Sequence, residues 1–217
     1  MTPHPTPRPA TRPPANERRP AYGFDIETDT SRGGLDPATS RIIAIGVAGD
    51  GWERTFTGRE ADLLAEADAF LAQLPPGHLV TWNGAGFDFP FLWDRAIAAG
   101  VALDLYLSPD PRIPVPHGPP TGHQLAYRVR WGAHDHIDAY LELRATAHRV
   151  AGSARLKPFA ALHGIDCLEH DYARLPSLST AALERYVASD ARATLHLAER
   201  YGLTGSLVAT PAPCPGP

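Results

Sequence analysis

At 217 residues, with 43% apolar and 20% charged side chains, the chain can bury one large core and is too short for two comfortable ones. Its formal charge of −4 argues against a passive nucleic-acid binder, but not against an enzyme whose bound cations supply the positive charge. Two cysteines, Cys167 and Cys214, make no disulfide framework, and no apolar run approaches the ~20 residues of a membrane span, so a reducing, cytoplasmic setting is expected. Residues 1–20 are rich in Pro, Arg and Thr with little to bury, and are expected to form a disordered arm. The Pro-rich stretch 204–217 is expected to behave likewise, which leaves 21–203 as one folded domain.

The folded part opens with "AYGFDI" (21–26), a buried strand, followed by strands at 41–49 and 53–58. Three strands joined by short turn-rich links imply an antiparallel meander. Apolar residues at helical spacing, Leu63, Leu64, Phe70, Leu71 and Leu74, predict a helix over 59–74. A fourth strand is expected at 78–84. A second helix over 89–100 has Pro90 in its first turn and Gly100 just past its end. A short strand at 101–107 precedes "SPDPRIPVPHGPPTG" (108–122), whose proline density predicts a loop. A further edge strand is expected at 126–131, then helices at about 136–148, about 155–163 and from Ser179 or Thr180 to Tyr201. The fold class is therefore α/β, with a mixed central sheet flanked by helices.

Three short segments carry chemistry. Asp25 and Glu27 in "FDIET" sit two apart on a strand, so both carboxylates point to one face while Phe24 and Ile26 point to the other. They end an apolar strand, where open α/β sheets place ligands. Asp88 in "NGAGFDFPFL" lies at a strand-to-helix junction; it fits a plain helix cap and it fits a ligand. Tyr186 and Asp190 in "YVASD" stack at i and i+4 on a helix face that also carries Leu183, Val187, Thr194 and Leu197. An acid on an inward face needs a partner or a metal. Hard oxygen ligands of this kind suit Mg²⁺ or Mn²⁺, and two such ions can clamp a phosphodiester and activate water against it.

Weaker signals are the alternation of His134, His136 and Asp138, which with His163, Cys167 and His170 gives no recognised zinc spacing. Lys157, the only lysine among 20 basic residues, reads as a solvated first-turn side chain or as a phosphate contact.

The three segments, in this order, resemble the DEDD superfamily of 3′→5′ exonucleases, and look most like the proofreading domain of family-B DNA polymerases and its stand-alone relatives. The likeness spans Ala21 to about Tyr201, and the Y-x-x-x-D spacing of Tyr186 and Asp190 is that of the tyrosine subgroup. The resemblance implies an RNase H-like fold. It implies that Asp25, Glu27 and Asp190 hold one metal, that Asp25 is shared with a second, and that Asp88 supports the second, partly through water. It implies that Tyr186 orients the attacking water. Thr28, Asn83 and Phe87 are the matching candidates to hold the terminal nucleotide, with Phe87 stacking on or wedging a base, and Asp138 would flank the site.

The activity expected from this resemblance is that of an isolated, metal-dependent 3′→5′ exonuclease. It would act on single-stranded 3′ ends, DNA more readily than RNA, and release nucleoside 5′-monophosphates. The alternatives are an RNA-trimming exonuclease and a non-catalytic nucleic-acid-binding module on the same fold. No membrane partner is expected.

Overall fold

The computed structural model describes residues 19–32, 34–113 and 126–205; the arm before Arg19, most of the 108–122 loop and the tail from 206 lie outside them. The described chain builds one seven-stranded sheet with helices on both faces. The strands are β1 (Ala21–Thr28), β2 (Ile42–Gly49), β3 (Trp52–Thr57), β4 (His78–Thr81), β5 (Leu105–Pro109), β6 (Tyr127–Trp131) and β7 (His134–Asp138). They lie in the order β3-β2-β1-β4-β7-β6-β5. β1, β2 and β3 form the expected antiparallel meander. β4 runs parallel to both β1 and β7, and β6 is antiparallel to its neighbours β7 and β5.

One face is covered by α1 (Glu60–Leu71) and α2 (Asp88–Ala99), over a core of Phe24, Ile26, Leu63, Leu64, Phe89 and Trp131. Phe24 stacks on Phe89 with ring centroids 5.5 Å apart. The opposite face carries α3 (Ala139–Ala151), α4 (Leu156–Leu162) and the long α5 (Thr180–Arg200), around Val80, Leu143, Phe159, Leu195 and Ala198. Local chemistry sets the helix ends. Gly100 closes α2 at φ 68°, a left-handed position that suits glycine, and the Ser179 hydroxyl caps α5 by accepting from the Ala182 N–H.

Two glycines decide where α5 lies. A Cβ on Gly46 of β2 would stand 2.7 Å from the Val187 carbonyl oxygen, and one on Gly23 of β1 would overlap the Ala191 carbonyl. The helix backbone therefore rests directly on the bare strand backbones. Gly23 shares a sheet face with Asp25 and Glu27, so α5 is pressed against the face from which those acids project.

The structure departs from sequence expectation at four places. His134–Asp138 is the strand β7 and not the start of a helix; α3 begins only at Ala139. β6 is not an edge strand but lies between β7 and β5. β5 runs on through Ser108 to Pro109, into the segment expected to be loop; as the outermost strand it tolerates a residue without an N–H. Arg19 and Pro20, expected in the arm, belong to the domain: Arg19 pairs with Asp135, and the Pro20 carbonyl accepts from the His78 N–H at 2.9 Å. Among the described residues no helix is long and apolar enough to cross a membrane.

Candidate active site

Strand β1 delivers Asp25 and Glu27 to the α5 side, and its register with β2 shifts between Glu27 and Thr28. Helix α5 delivers Tyr186 and Asp190 to the same place. Carboxylate oxygens of Asp25, Glu27 and Asp190 all lie within 4.8 Å of one another. Among the described residues this is the one group of His, Cys, Asp and Glu with spacing suited to a metal ion. Asp25 is half-buried; Glu27 and Asp190 are each only 6% exposed.

Asp88 completes the acidic set from α2, although it lies outside the closest three. Its alternative reading as a helix cap is not met, because Phe87 occupies the N-cap position and Asp88 is the first helical residue. Burial pushes the Asp88 carboxyl up to about 7, against the pull of its own backbone N–H and that of Ile26. Its charge is felt by Asp25 and Glu27.

Crowding these acids out of water disfavours their ionised forms. Burial, then the charges of Glu27, Asp88 and Asp190, hold Asp25 well above the usual carboxylate range. Burial, followed by Asp190, does the same to Glu27. Asp190 is raised to about 6 by burial, with Lys157 opposing the rise. Lys157 is the counter-charge: its ammonium is 3.1 Å from Asp190 Oδ2, and donates to the Tyr186 hydroxyl at 2.7 Å and to the Leu168 carbonyl at 2.5 Å. One ammonium does not balance four carboxylates. Asp190 Oδ1 is buried and finds no hydrogen-bond partner among the described residues. Clustered hard oxygens, raised proton affinities and an unpartnered carboxylate oxygen together fit a divalent cation.

Tyr186 is fully buried and its hydroxyl is held far above its ordinary pKa, first by burial and then by the charges of Glu27 and Asp190. It is therefore a neutral O–H aimed into the acidic site. His170 packs against its ring at 5.3 Å. A cavity of about 730 Å³ opens over these groups, lined among others by Asp25, Asn83, Lys157, Tyr172, Tyr186 and Asp190.

Of the three residues expected to hold the terminal nucleotide, Asn83 lines this cavity. Thr28 is buried at the end of β1, and the half-buried Phe87 packs on Phe91 at 5.6 Å; neither lines it. Asn83 adopts φ 74°, the one non-glycine residue with positive φ among those described. Asp138 holds this turn: Oδ1 accepts from the Asn83 N–H at 2.9 Å and the Tyr140 N–H at 3.1 Å, and Oδ2 from the Ala85 N–H at 2.9 Å. The same carboxylate thus caps α3 and shapes the cavity wall.

The histidines of β7 are structural. His134 Nδ1 accepts from the Gly77 N–H, so its Nε2 carries the proton given to the Leu71 carbonyl at 2.9 Å. His136 bonds to the Thr81 hydroxyl at 2.7 Å and packs on Phe89. Lys157 is the site residue that sequence reasoning undervalued. It is not a solvated first-turn side chain; the signal for it was the likeness of "SARLKPFAALHG" (153–164) to the exonuclease segment that precedes the last motif.

A family model described as a predicted 3′-5′ exonuclease related to the exonuclease domain of PolB matches residues 41–166. That span includes Asp88 and Lys157; Asp25, Glu27, Tyr186 and Asp190 fall outside it. Among solved structures, the family B DNA polymerase from the hyperthermophilic archaeon Pyrobaculum calidifontis is similar, with a TM-score of 0.64 and 23% identity. The alignment covers 90% of this chain and 25% of the polymerase chain. At that identity the likeness shows the fold: a mixed sheet flanked by helices, the RNase H-like fold of the polymerase exonuclease. No curated protein matches.

Proposed function

We propose, from the premise that this chain belongs to the family of predicted 3′-5′ exonucleases related to the exonuclease domain of PolB, that it hydrolyses phosphodiester bonds at single-stranded 3′ ends of DNA and releases nucleoside 5′-monophosphates. The observation that carries the reading is the convergence of Asp25, Glu27 and Asp190, with Asp88 beside them, from three separate elements of the chain. Those residues fit a divalent cation, Mg²⁺ or Mn²⁺. Asp25, Glu27 and Asp190 would hold one ion, with Asp25 and Asp88 serving a second. When bound, the cations supply acidity to water and positive charge against the phosphate.

The remaining work falls to the chain's own residues. The Tyr186 O–H, neutral and fixed by Lys157, can accept or donate to a water and hold it in line with the scissile bond without competing for metal. Lys157 offsets part of the acid charge and stands within reach of an incoming phosphate oxygen. Asn83 offers its side-chain amide to the terminal nucleotide from the cavity wall.

The deciding experiment follows 5′-labelled single-stranded DNA and RNA with Mg²⁺, Mn²⁺ or EDTA. The expected result is a ladder shortening from the 3′ end that requires metal and vanishes in Asp25→Ala. Intact polymers with wild type in every metal overturn the reading. Faster loss of RNA than of DNA moves the substrate to RNA.

A further inference from the structure

Asp25, Glu27 and Asp190 have one positive neighbour in common: the Lys157 ammonium favours the ionised form of each. It reaches them from α4, where Leu156 and Phe159 on either side of it are buried, so its stem starts from fixed ground. The side chain is only 13% exposed. An ammonium has three N–H groups. Two are given to the Leu168 carbonyl at 2.5 Å and the Tyr186 hydroxyl at 2.7 Å, and Asp190 Oδ2 stands 3.1 Å away as the ion-pair partner.

These three partners are not equally replaceable. The Leu168 backbone is tied to α5, since its N–H donates to the Ser189 hydroxyl at 2.8 Å, and Tyr186 is fully buried. Both are fixed, neutral acceptors. Asp190 Oδ2 is charged and belongs to the cluster whose oxygens lie within 4.8 Å of one another, and its twin Oδ1 is buried with no partner among the described residues. A hard divalent ion is the stronger competitor for such a carboxylate. Charges of +2 and +1 held about 5 Å apart also repel, enough to weaken binding roughly tenfold even at the dielectric constant of water.

We propose that Lys157 is the resident cation of the acid cluster and sets its metal affinity: it holds the carboxylates together before a divalent ion arrives, gives up Asp190 Oδ2 to that ion, and makes the site bind it more loosely than the acids alone would. The two acceptors it retains keep the ammonium beside the site after the exchange. The inference rests on the metal-dependent reading of the site, but it concerns affinity for the ion alone. Its test needs no nucleic acid, so the two can fail separately.

The free Mn²⁺ signal in electron paramagnetic resonance, at about pH 8.5 so that protons compete little with the ion, gives the affinity of wild type, Lys157→Met, Lys157→Arg and Arg155→Gln. Lys157→Met keeps an apolar stem beside the Tyr186 ring, whose centroid is 3.9 Å from the ammonium, and removes the charge. It should bind Mn²⁺ roughly tenfold more tightly than wild type. Lys157→Arg keeps the charge and grips a carboxylate with two N–H groups, so it should bind severalfold more weakly. Arg155 is exposed on the wall of the same cavity and controls for lost net charge. Its replacement should change affinity by less than about threefold, since solvent screens it. Melting curves in EDTA check that each variant is folded; if Lys157→Met is not, Lys157→Arg decides the matter by itself. Unchanged or weaker binding by folded Lys157→Met, binding by Lys157→Arg at least as tight as wild type, an equal gain in Arg155→Gln, or no Mn²⁺ binding by any of the four would each overturn the inference. The expected affinities without hydrolysis of DNA or RNA would keep this role for Lys157 and remove the exonuclease; hydrolysis with unmoved affinities would do the reverse.

Discussion

Lys157, Tyr186 and Asp190 form a chain of contacts in which each member explains another. The ammonium lies 3.9 Å from the Tyr186 ring centroid, donates to its hydroxyl and pairs with Asp190 Oδ2. A buried acid beside a buried tyrosine would be costly alone; the lysine offsets that cost and fixes the direction of the hydroxyl. Tyr186→Phe keeps the ring and removes the O–H. It should lower kcat on the order of a hundredfold with KM little changed, as loss of water alignment does. A variant with wild-type turnover would take the tyrosine out of the mechanism. The Tyr186–Asp190 stacking was legible in sequence because i and i+4 on a helix need no tertiary knowledge. The lysine was not, because its surroundings come from α5 and from the segment at Leu168, both distant in sequence.

Helix α5 owes its seat to Gly23 and Gly46. A methyl group at Gly23 meets the Ala191 carbonyl, a backbone atom that no rotamer change can move. Gly23→Ala should therefore lift the helix from β1, lower stability by about 1–3 kcal/mol at the upper end of that range, and separate Asp190 from Asp25. A melting curve together with the metal-dependent ladder would check this, and full activity with an unchanged Tm would refute it. The strands β1 to β4 and all five α-helices were legible in sequence to within a few residues, because their apolar spacing is strong. β7 was not. "HDHID" offers only Ile137 as an apolar residue, and its buried positions are filled by His134 and Asp138, whose partners Leu71, Gly77, Asn83 and Ala85 lie far away in sequence. A central strand built from satisfied polar groups carries no hydrophobic alternation to find. The place of β6 was missed for the same reason: without β7 it reads as an edge.

The molecule as a whole carries two opposed responses to pH. Burial holds His136 neutral, with its pKa lowered to about 3. Below an ordinary value of about 6.5 the unfolded chain gains a proton that the fold refuses, so stability falls as pH drops toward 3. The acidic site acts in the other direction. Asp190 and Asp88 are raised to about 6 and about 7. The folded form then keeps protons that the unfolded chain releases, and this stability is lost as pH rises through those values. In EDTA the Tm should therefore fall between pH 6 and pH 8. Mg²⁺ or Mn²⁺ should remove that fall, since cations take over the oxygens that protons vacate. A scanning-fluorimetry series would show it; an equal slope with and without metal would argue that no cation binds these carboxylates.

A sole lysine set against the Asp190 carboxylate makes this protein unusually easy to interrogate. Reductive methylation with isotopically enriched formaldehyde would decorate one side chain, besides the amino terminus, and that side chain happens to sit at the heart of the pocket. A single resonance then reports arrival of an ion or of an oligonucleotide, with no mutation and no dye.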